Sequence, residues 1–541
     1  MGDGMARRER PAGAVRLSRR AALVGGGLGL AAALPAAARV RAQEATPVAG
    51  EGGGIDRAAV EAALPQIVAM AEEAVASGGV PGLSLAVVFQ DEVLLAQGFG
   101  VRSTADGGDV DADTVFQLAS LSKPVGSTVI SAIVGSGAAT WDDRVSAHLP
   151  GFELSDPWAT QELTIGDFYA HRSGLGGDAG GDLERVGYGR EEILERLRYL
   201  DLASSPRSTY AYSNKGMTTG AMAAAAAAGM SWEDASEALL YAPLGMTNTS
   251  SRYADYEAAE NRAALHVRID GAWEPRFPFD PDAQSPAGGV SSSANDLAQW
   301  LRLLLADGTF DGADLIPAAA LDEAHTPRMS RGTNPMTGGP SFYGYGWGID
   351  YPDGRTQLSH AGAFTYGART LASLSPSEDL GIVVLTNAFP TGAPDGLAAA
   401  FFDIVRTGSP SRDWIAAWNP LYESILGGFA AGGAAYEDLP ASPSPALPAE
   451  AYAGVYENAY AGSVEVAVEG DGLVLKLGPE PRSFPLTHFE RDVFTYEVDL
   501  EPPAPLTGAT FVIGPDGKAN AVQLDYFAGN GQGTFPRRED G

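Results

Sequence analysis

The chain has 541 residues, 45% of them hydrophobic and 19% charged, with no cysteine and a formal net charge of −32. That length exceeds one ordinary core and predicts two folded domains. The missing cysteine excludes a disulfide framework, a Cys-based metal site and a catalytic thiol, and the acidity counts against nucleic acid and anionic membranes as partners, because such a surface repels both.

The first 42 residues run against this charge. They carry eight Arg against Asp3 and Glu9, a charge of +6, and without them the chain stands at −38. Residues 16–23 read Arg-Leu-Ser-Arg-Arg-Ala-Ala-Leu, so the pair Arg19-Arg20 opens a mild Ala/Gly/Leu run from Ala21 to Ala38, followed by Val40-Arg41-Ala42. This resembles a twin-arginine export signal with a small-residue cleavage site at Ala42. The other reading, an uncleaved anchor, is disfavoured by how short and mild the run is. The expected location is periplasmic or extracellular, with no stable membrane anchor. Residues 43–54 read as a disordered lead-in.

From 55 to 430 helical and strand patterns alternate. Ala58–Ser77 has apolar residues at helical spacing, and Gly82–Gly98 reads as two strands joined at Gln90-Asp91. Asp113–Ala119 reads as extended chain leading into an apolar helix over Leu121–Val134. The stretch 217–229, nearly all Met, Thr, Gly and Ala, predicts a buried helix in tight contact with its neighbours. Ala294–Leu305 predicts an amphipathic helix with Asp296 in its first turn. Tyr343–Ile349, Gln357–His360, Thr370–Leu374 and Gly381–Thr386 are short strand candidates. Helices in the middle and strands at both ends predict an α+β domain.

Residues 431–450 form a linker rich in Pro and Ala, with Pro440, Pro443, Pro445 and Pro448 closely spaced. Beyond it, Ser463–Val468 and Leu473–Leu477 flank Glu469-Gly470-Asp471-Gly472, and Thr510–Ile513 and Ala521–Phe527 flank Pro515-Asp516-Gly517-Lys518. Both are hairpin signals. Residues 451–541 therefore read as a small all-β barrel or sandwich.

Three motifs carry chemistry. Ser120-Leu121-Ser122-Lys123 places an amine one helical turn from a hydroxyl, at the positive end of a helix. Serine is a weak nucleophile until a neighbour takes its proton, and lysine can do so only when neutral. Burial would lower its pKa from about 10.4. The plain alternative is a helix cap with a solvated lysine. Tyr212-Ser213-Asn214 offers a hydroxyl proton carrier and an amide that can hold both the lysine and a substrate. A second Tyr-x-Asn, Tyr456-Glu457-Asn458, opens the β module and reads as structural. His360-Ala361-Gly362-Ala363 lies on a strand. Gly362 would let substrate approach the backbone, and an amide N–H here, paired with that of Ser120, would form an oxyanion hole. No Gly-x-Ser-x-Gly elbow occurs and no two His are four apart, which counts against an α/β-hydrolase and a zincin. His171 reads as a loop-packing residue, the other reading being a support for the site residues.

In this order the motifs resemble the serine β-lactamase and penicillin-binding protein superfamily. The intervals of 92 residues from Ser120 to Tyr212 and 148 from Tyr212 to His360 suit its class C branch. His171-Arg172-Ser173-Gly174-Leu175, Pro243-Leu244-Gly245-Met246, and Gly288-Gly289-Val290 with Ser291, Asp296 and Leu297 resemble further pieces of that branch. The resemblance covers 55–430. It implies an antiparallel sheet built from both chain ends and flanked by helices, with an all-helical lobe inserted, and it likens the last module to the lipocalin-like β domains that follow some of these hydrolases.

The resemblance implies Ser120 as nucleophile, Lys123 and Tyr212 as its proton handlers, Asn214, His360 and Gly362 as substrate-orienting residues, and the backbone of Ser120 and Ala363 as oxyanion donors, with no metal and no cofactor. Class C β-lactamases have Lys-Thr-Gly where this chain has His360-Ala361-Gly362. Ala361 brings neither hydroxyl nor charge, and a histidine is only partly charged near neutrality. The expected substrate is therefore a small-molecule ester or amide, or a peptide containing D-amino acids. The alternatives are a β-lactamase and a non-hydrolytic penicillin-binding or wall-sensing protein.

Overall fold

The computed structural model describes residues 55–498 and 506–539; the expected export signal and lead-in lie outside them. Helix α1 (Arg57–Ala76) starts where the Asp56 carboxylate accepts the Ala59 N–H at 2.8 Å. Strands β1 (Gly82–Phe89), β2 (Glu92–Ser103) and β3 (Gly107–Asp109) follow. Six strands from the other end join them: β4 (Met329–Thr333), β5 (Pro340–Tyr343), β6 (Gly348–Asp350), β7 (Gln357–Phe364), β8 (Ala368–Ser375) and β9 (Leu380–Thr386). Together they form one nine-stranded sheet in the order β4-β5-β6-β7-β8-β9-β1-β2-β3. The β1–β9 pairing, Leu83 opposite Thr386 through Phe89 opposite Leu380, joins the two chain ends.

Both faces of this sheet are covered, so its central strands read as continuous apolar runs. In β1, Leu83, Leu85, Val87 and Phe89 enter one core with α1 and helix α5 (Ala393–Thr407), whereas Ala86 and Val88 point into the other. That second core holds α2 (Ser122–Gly135), α3 (Asn214–Ala227) and α4 (Ala294–Leu305). Helix α3 is the small-residue helix. Its Gly220 lies so close to Phe168 and Ile165 that a Cβ there would sit 3.0 Å from one side chain and 3.2 Å from the other's carbonyl. Short helices between α2 and α4, such as Ile165–Tyr169, Gly181–Arg185 and Arg190–Arg196, complete a helical lobe.

The structure departs from sequence expectation at Tyr343–Ile349. It is two strands with a turn between, because Tyr345 and Trp347 are fully buried under α2 and the Ser127 hydroxyl donates to the Tyr345 carbonyl at 2.5 Å. Gly346, at φ +80°, permits this, since its Cβ would lie 2.9 Å from the Lys123 carbonyl.

After α6 (Trp414–Ala430), eight antiparallel strands from Gly454–Asn458 to Thr534–Pro536 run in sequential order. The Tyr456–Arg537 bridge and an Arg538 N–H to Val455 carbonyl bond of 2.8 Å bring the last strand back to the first, giving a nearly closed barrel. The strand expected to reach Phe527 ends at Leu524 and continues as a tight helical turn. Tyr456 is fully buried, with its hydroxyl donating to the Tyr452 carbonyl, so the second Tyr-x-Asn is structural.

The barrel docks on the helical lobe at residues 178–188. Asp182 is buried between the Tyr460 hydroxyl and Asn530 Nδ2, which donates at 2.9 Å, and the Tyr188 hydroxyl donates to the Ala461 carbonyl at 2.8 Å. Burial is the first cause acting on Asp182 and raises its pKa, against the pull of Tyr460 and Asn530. Removing the Tyr460 hydroxyl (Tyr460→Phe) leaves a buried carboxylate short of a donor. It is expected to cost about 1–3 kcal/mol, read as a lower calorimetric melting temperature; an unchanged melting curve would show that the contact contributes nothing. Among the described residues no helix is long and apolar enough to cross a membrane.

Candidate active site

The extended approach to Ser120 is shorter than its sequence suggests. Only Phe116–Gln117 is strand, paired with Ser291–Ser292. Leu118 is already helical, Ala119 sits at φ +49°, and Ser120 lies in a tight turn, Ala119–Leu121, immediately before α2. A non-glycine residue at positive φ is strained and persists only where its surroundings impose it. Here the Leu118 N–H donates to the Val290 carbonyl at 2.9 Å, its carbonyl accepts the Thr370 hydroxyl at 2.6 Å, and the Ser122 hydroxyl accepts the Val290 N–H at 2.9 Å.

Gly362 belongs to this clamp. A Cβ on it would lie 2.0 Å from the Leu118 carbonyl oxygen and 2.8 Å from the Leu121 nitrogen. The sequence reading gives its bareness to substrate; in the structure the nucleophile's own turn fills that space.

Lys123 is fully buried, and its Nζ has three neighbours: Ser120 Oγ at 2.9 Å, Asn214 Oδ1 at 2.7 Å and the Ala287 carbonyl at 2.8 Å. Burial, then the positive charge of Lys215, holds its pKa well below the ordinary lysine value. A neutral amine has two N–H donors and one lone pair. Asn214 Oδ1 and the Ala287 carbonyl can only accept, so they take both donors. The lone pair is left facing the Ser120 hydroxyl.

The Tyr212 hydroxyl is 2.7 Å from Ser120 Oγ and donates to it. Burial raises the Tyr212 pKa above the ordinary phenol value, so the group stays protonated and cannot serve as a phenolate base. His171 holds the Tyr212 segment. Its Nδ1 accepts the Ser213 N–H at 3.1 Å and its ring packs 4.4 Å from that of Tyr212. Burial lowers the His171 pKa well below the usual histidine value.

His360 departs from the expectation of partial charge. Burial pushes its pKa well below the usual histidine value. Its Nδ1 lies 2.8 Å from the Ala361 carbonyl, which can only accept, so Nδ1 carries the proton and Nε2 accepts the Tyr343 hydroxyl at 2.8 Å. The ring is thus tied to Tyr343 as a neutral group.

Ser120, Asn214 and Ala363 line one pocket, and His360 and Gly362 are not among its lining residues. Two walls oppose each other. One is aromatic, with Phe279 stacked on Tyr366 at 4.2 Å and edge-on to Phe364 at 4.7 Å. The other is charged, where Lys215 and Glu184 make a buried ion pair of 2.5 Å and Arg185 pairs with Asp178 at 2.9 Å. Asp178, Glu184 and Arg185 of this wall lie in the segment on which the barrel docks, and a larger cleft shares Glu184, Arg185, Phe279 and Tyr366 with the pocket and reaches Arg482 of the barrel. Neither the wall nor its contact with the barrel is signalled in sequence, because the partners Asp182 and Tyr460 lie 278 residues apart.

The Beta-lactamase family model matches residues 67–403, and a domain of unknown function (DUF3471) matches 439–534. Penicillin-binding protein 4 of Amycolatopsis lactamdurans is 27% identical over 60% of this chain and 84% of its own length. Unguisins hydrolase ungD of Aspergillus violaceofuscus is 24% identical over 85% of this chain and 88% of its own. In fold, the octameric penicillin-binding protein homologue from Pyrococcus abyssi aligns with 87% of this chain and 99% of its own at a TM-score of 0.56 and 19% identity.

Proposed function

The chain belongs to the beta-lactamase family of serine hydrolases, and from that premise we propose that it forms an acyl-enzyme on Ser120, with Lys123 as the general base and Tyr212 as the proton relay. The observation that carries this reading is the placement of Lys123 Nζ, which has two pure acceptors, Asn214 Oδ1 and the Ala287 carbonyl, on two sides and Ser120 Oγ at 2.9 Å on the third.

Ser120 Oγ attacks the substrate carbonyl carbon as its proton passes to the Lys123 lone pair. Negative charge gathers on the carbonyl oxygen, which the backbone N–H groups of Ser120 and Ala363 receive. The tetrahedral species collapses as the Tyr212 hydroxyl gives its proton to the departing oxygen or nitrogen and recovers one from the Lys123 ammonium. Water then repeats the sequence on the acyl ester. It loses its proton to the same pair, and Ser120 leaves with that proton restored.

The substrate we propose is an extracytoplasmic ester or amide, or a peptide containing D-amino acids. Its export would rest on Arg19-Arg20 and the run that follows. The catalytic unit would be 55–430, joined by 431–450 to a lipocalin-like module at 451–541. Support for an uncharged acyl group comes from the aromatic wall of Phe279, Phe364 and Tyr366. Support against a β-lactam comes from the strand beside Ser120. His360 is neutral and bound to Tyr343, and Ala361 has only a methyl group, so this stretch offers a β-lactam carboxylate no side-chain donor.

Losing one charge-assisted hydrogen bond predicts that kcat/KM for nitrocefin lies at least about 10- to 100-fold below that for p-nitrophenyl butyrate. The reverse order would favour a β-lactamase. A fluorophosphonate probe followed by peptide mass mapping tests the reading as a whole: the adduct is expected on Ser120, and no adduct on the folded wild type would favour a non-hydrolytic binding protein.

A further inference from the structure

The buried arginine of β8 has no part in the proton chemistry above. Arg369 is 4% exposed, in a strand (Ala368–Ser375) whose other residues are small, apolar or hydroxylic. Two of its nitrogens grip the Asp395 carboxylate, Nε at 2.9 Å and Nη2 at 2.6 Å. Nη2 also meets the Tyr422 hydroxyl, which donates to Asp395 at 3.0 Å, and the guanidinium lies 4.2 Å from the centre of the Tyr422 ring. Asp395 stands in the first turn of α5 and Tyr422 on α6, so two separate helices fix this one side chain.

Its remaining nitrogen, Nη1, donates to the Gly362 carbonyl at 3.3 Å. That carbonyl and the Ala363 N–H belong to one planar peptide unit, and in a trans peptide they point in opposite directions. Fixing one therefore aims the other. A cation on the carbonyl also polarises the unit and strengthens its N–H as a donor. Strand pairing sets Arg369 directly across from Ala363, so the reach is short.

We propose that Arg369, held by Asp395 and Tyr422, is a positioning residue that aims and strengthens the Ala363 N–H as an oxyanion donor. The inference rests on the acyl-enzyme reading above. It concerns a residue that touches neither the nucleophile nor the proton relay.

A buried ion pair can also serve only to join helices to a sheet, and the test must separate the two roles. The exchange Arg369→Met with Asp395→Leu and Tyr422→Phe replaces the cluster by apolar groups of similar volume and leaves no buried charge unpaired. Steady-state ester hydrolysis and the affinity of a phenylboronic acid, a tetrahedral adduct former at serine, are measured on the full chain.

The expected result is a kcat lower by about tenfold or more with KM within about twofold, and a boronic acid affinity weakened by the same factor as kcat/KM. A folded exchange variant with kcat within about twofold of wild type overturns the proposal. So does a fall in kcat without the matching loss of boronic acid affinity, or a change confined to KM. If the exchange does not fold, Arg369→Lys decides by the same criteria, because it keeps the charge beside Asp395 and gives up the fork that reaches Gly362. Ser120→Ala in the same assay separates the two claims. If it still turns over ester, the acyl-enzyme reading has failed; if it is inactive while the Arg369 variants are fully active, only the role of Arg369 has failed.

Discussion

Ser120→Ala is expected to lower p-nitrophenyl ester turnover by at least about 10⁴-fold with the fold intact. Loss of the nucleophile removes the acyl-enzyme altogether, and only binding and oxyanion stabilisation remain to assist water. The substitution costs little stability. Ser120 sits in a short turn already fixed by Val290 and Thr370, and among the described residues its hydroxyl bonds to Lys123 and Tyr212 alone. Circular dichroism and the melting curve should match wild type. Turnover retained within about tenfold would move the nucleophile elsewhere.

Lys123→Met is expected to slow acylation by about 10²- to 10⁴-fold, the range that a positioned general base supplies. Methionine fills the same buried space without a lone pair. The pH profile carries the sign. Burial and Lys215 lower the Lys123 pKa, and the active form is the neutral amine, so the wild-type acylation rate is level above that pKa and falls as pH falls through it. In the variant that limb disappears. Tyr212 cannot substitute, since burial raises its pKa and keeps it protonated. Unchanged acylation in Lys123→Met would show that another group accepts the proton.

Stability follows from the same shift. The folded-state pKa lies below the unfolded value of about 10.4, so between the two the unfolded chain binds more protons, and Lys123 makes stability rise with pH across that window.

The parts legible in sequence are those that chain geometry makes local. Ser120 and Lys123 are three residues apart and meet within a single turn at the start of α2, and strands β1 and β2 announce themselves by composition and by the turn at Gln90-Asp91. The helix Ala294–Leu305 has the bounds that its apolar spacing predicts. The unread parts depend on contacts between distant segments. The left-handed Ala119 follows from clamps at Val290 and Thr370, far along the chain. His360 looks titratable until Tyr343 and burial fix it as neutral. The broken strand at Tyr343–Ile349 follows from two aromatic rings that must be covered by α2, which strand propensity does not report. Arg369 offered one faint signal, a lone charge in an otherwise uncharged strand; its partners Asp395 and Tyr422 lie 26 and 53 residues on.

Whether Lys123 is the base turns on the protonation state of its amine. The chain contains only four lysines, Lys123, Lys215, Lys476 and Lys518, so 15N-lysine NMR can follow each Nζ, with Lys123→Met assigning the signal that vanishes. This signal is expected to be that of a neutral amine at pH 7 and to protonate only on acidification, in step with the loss of acylation. A Lys123 signal that stays that of an ammonium up to about pH 10, the ordinary lysine range, would contradict that expectation.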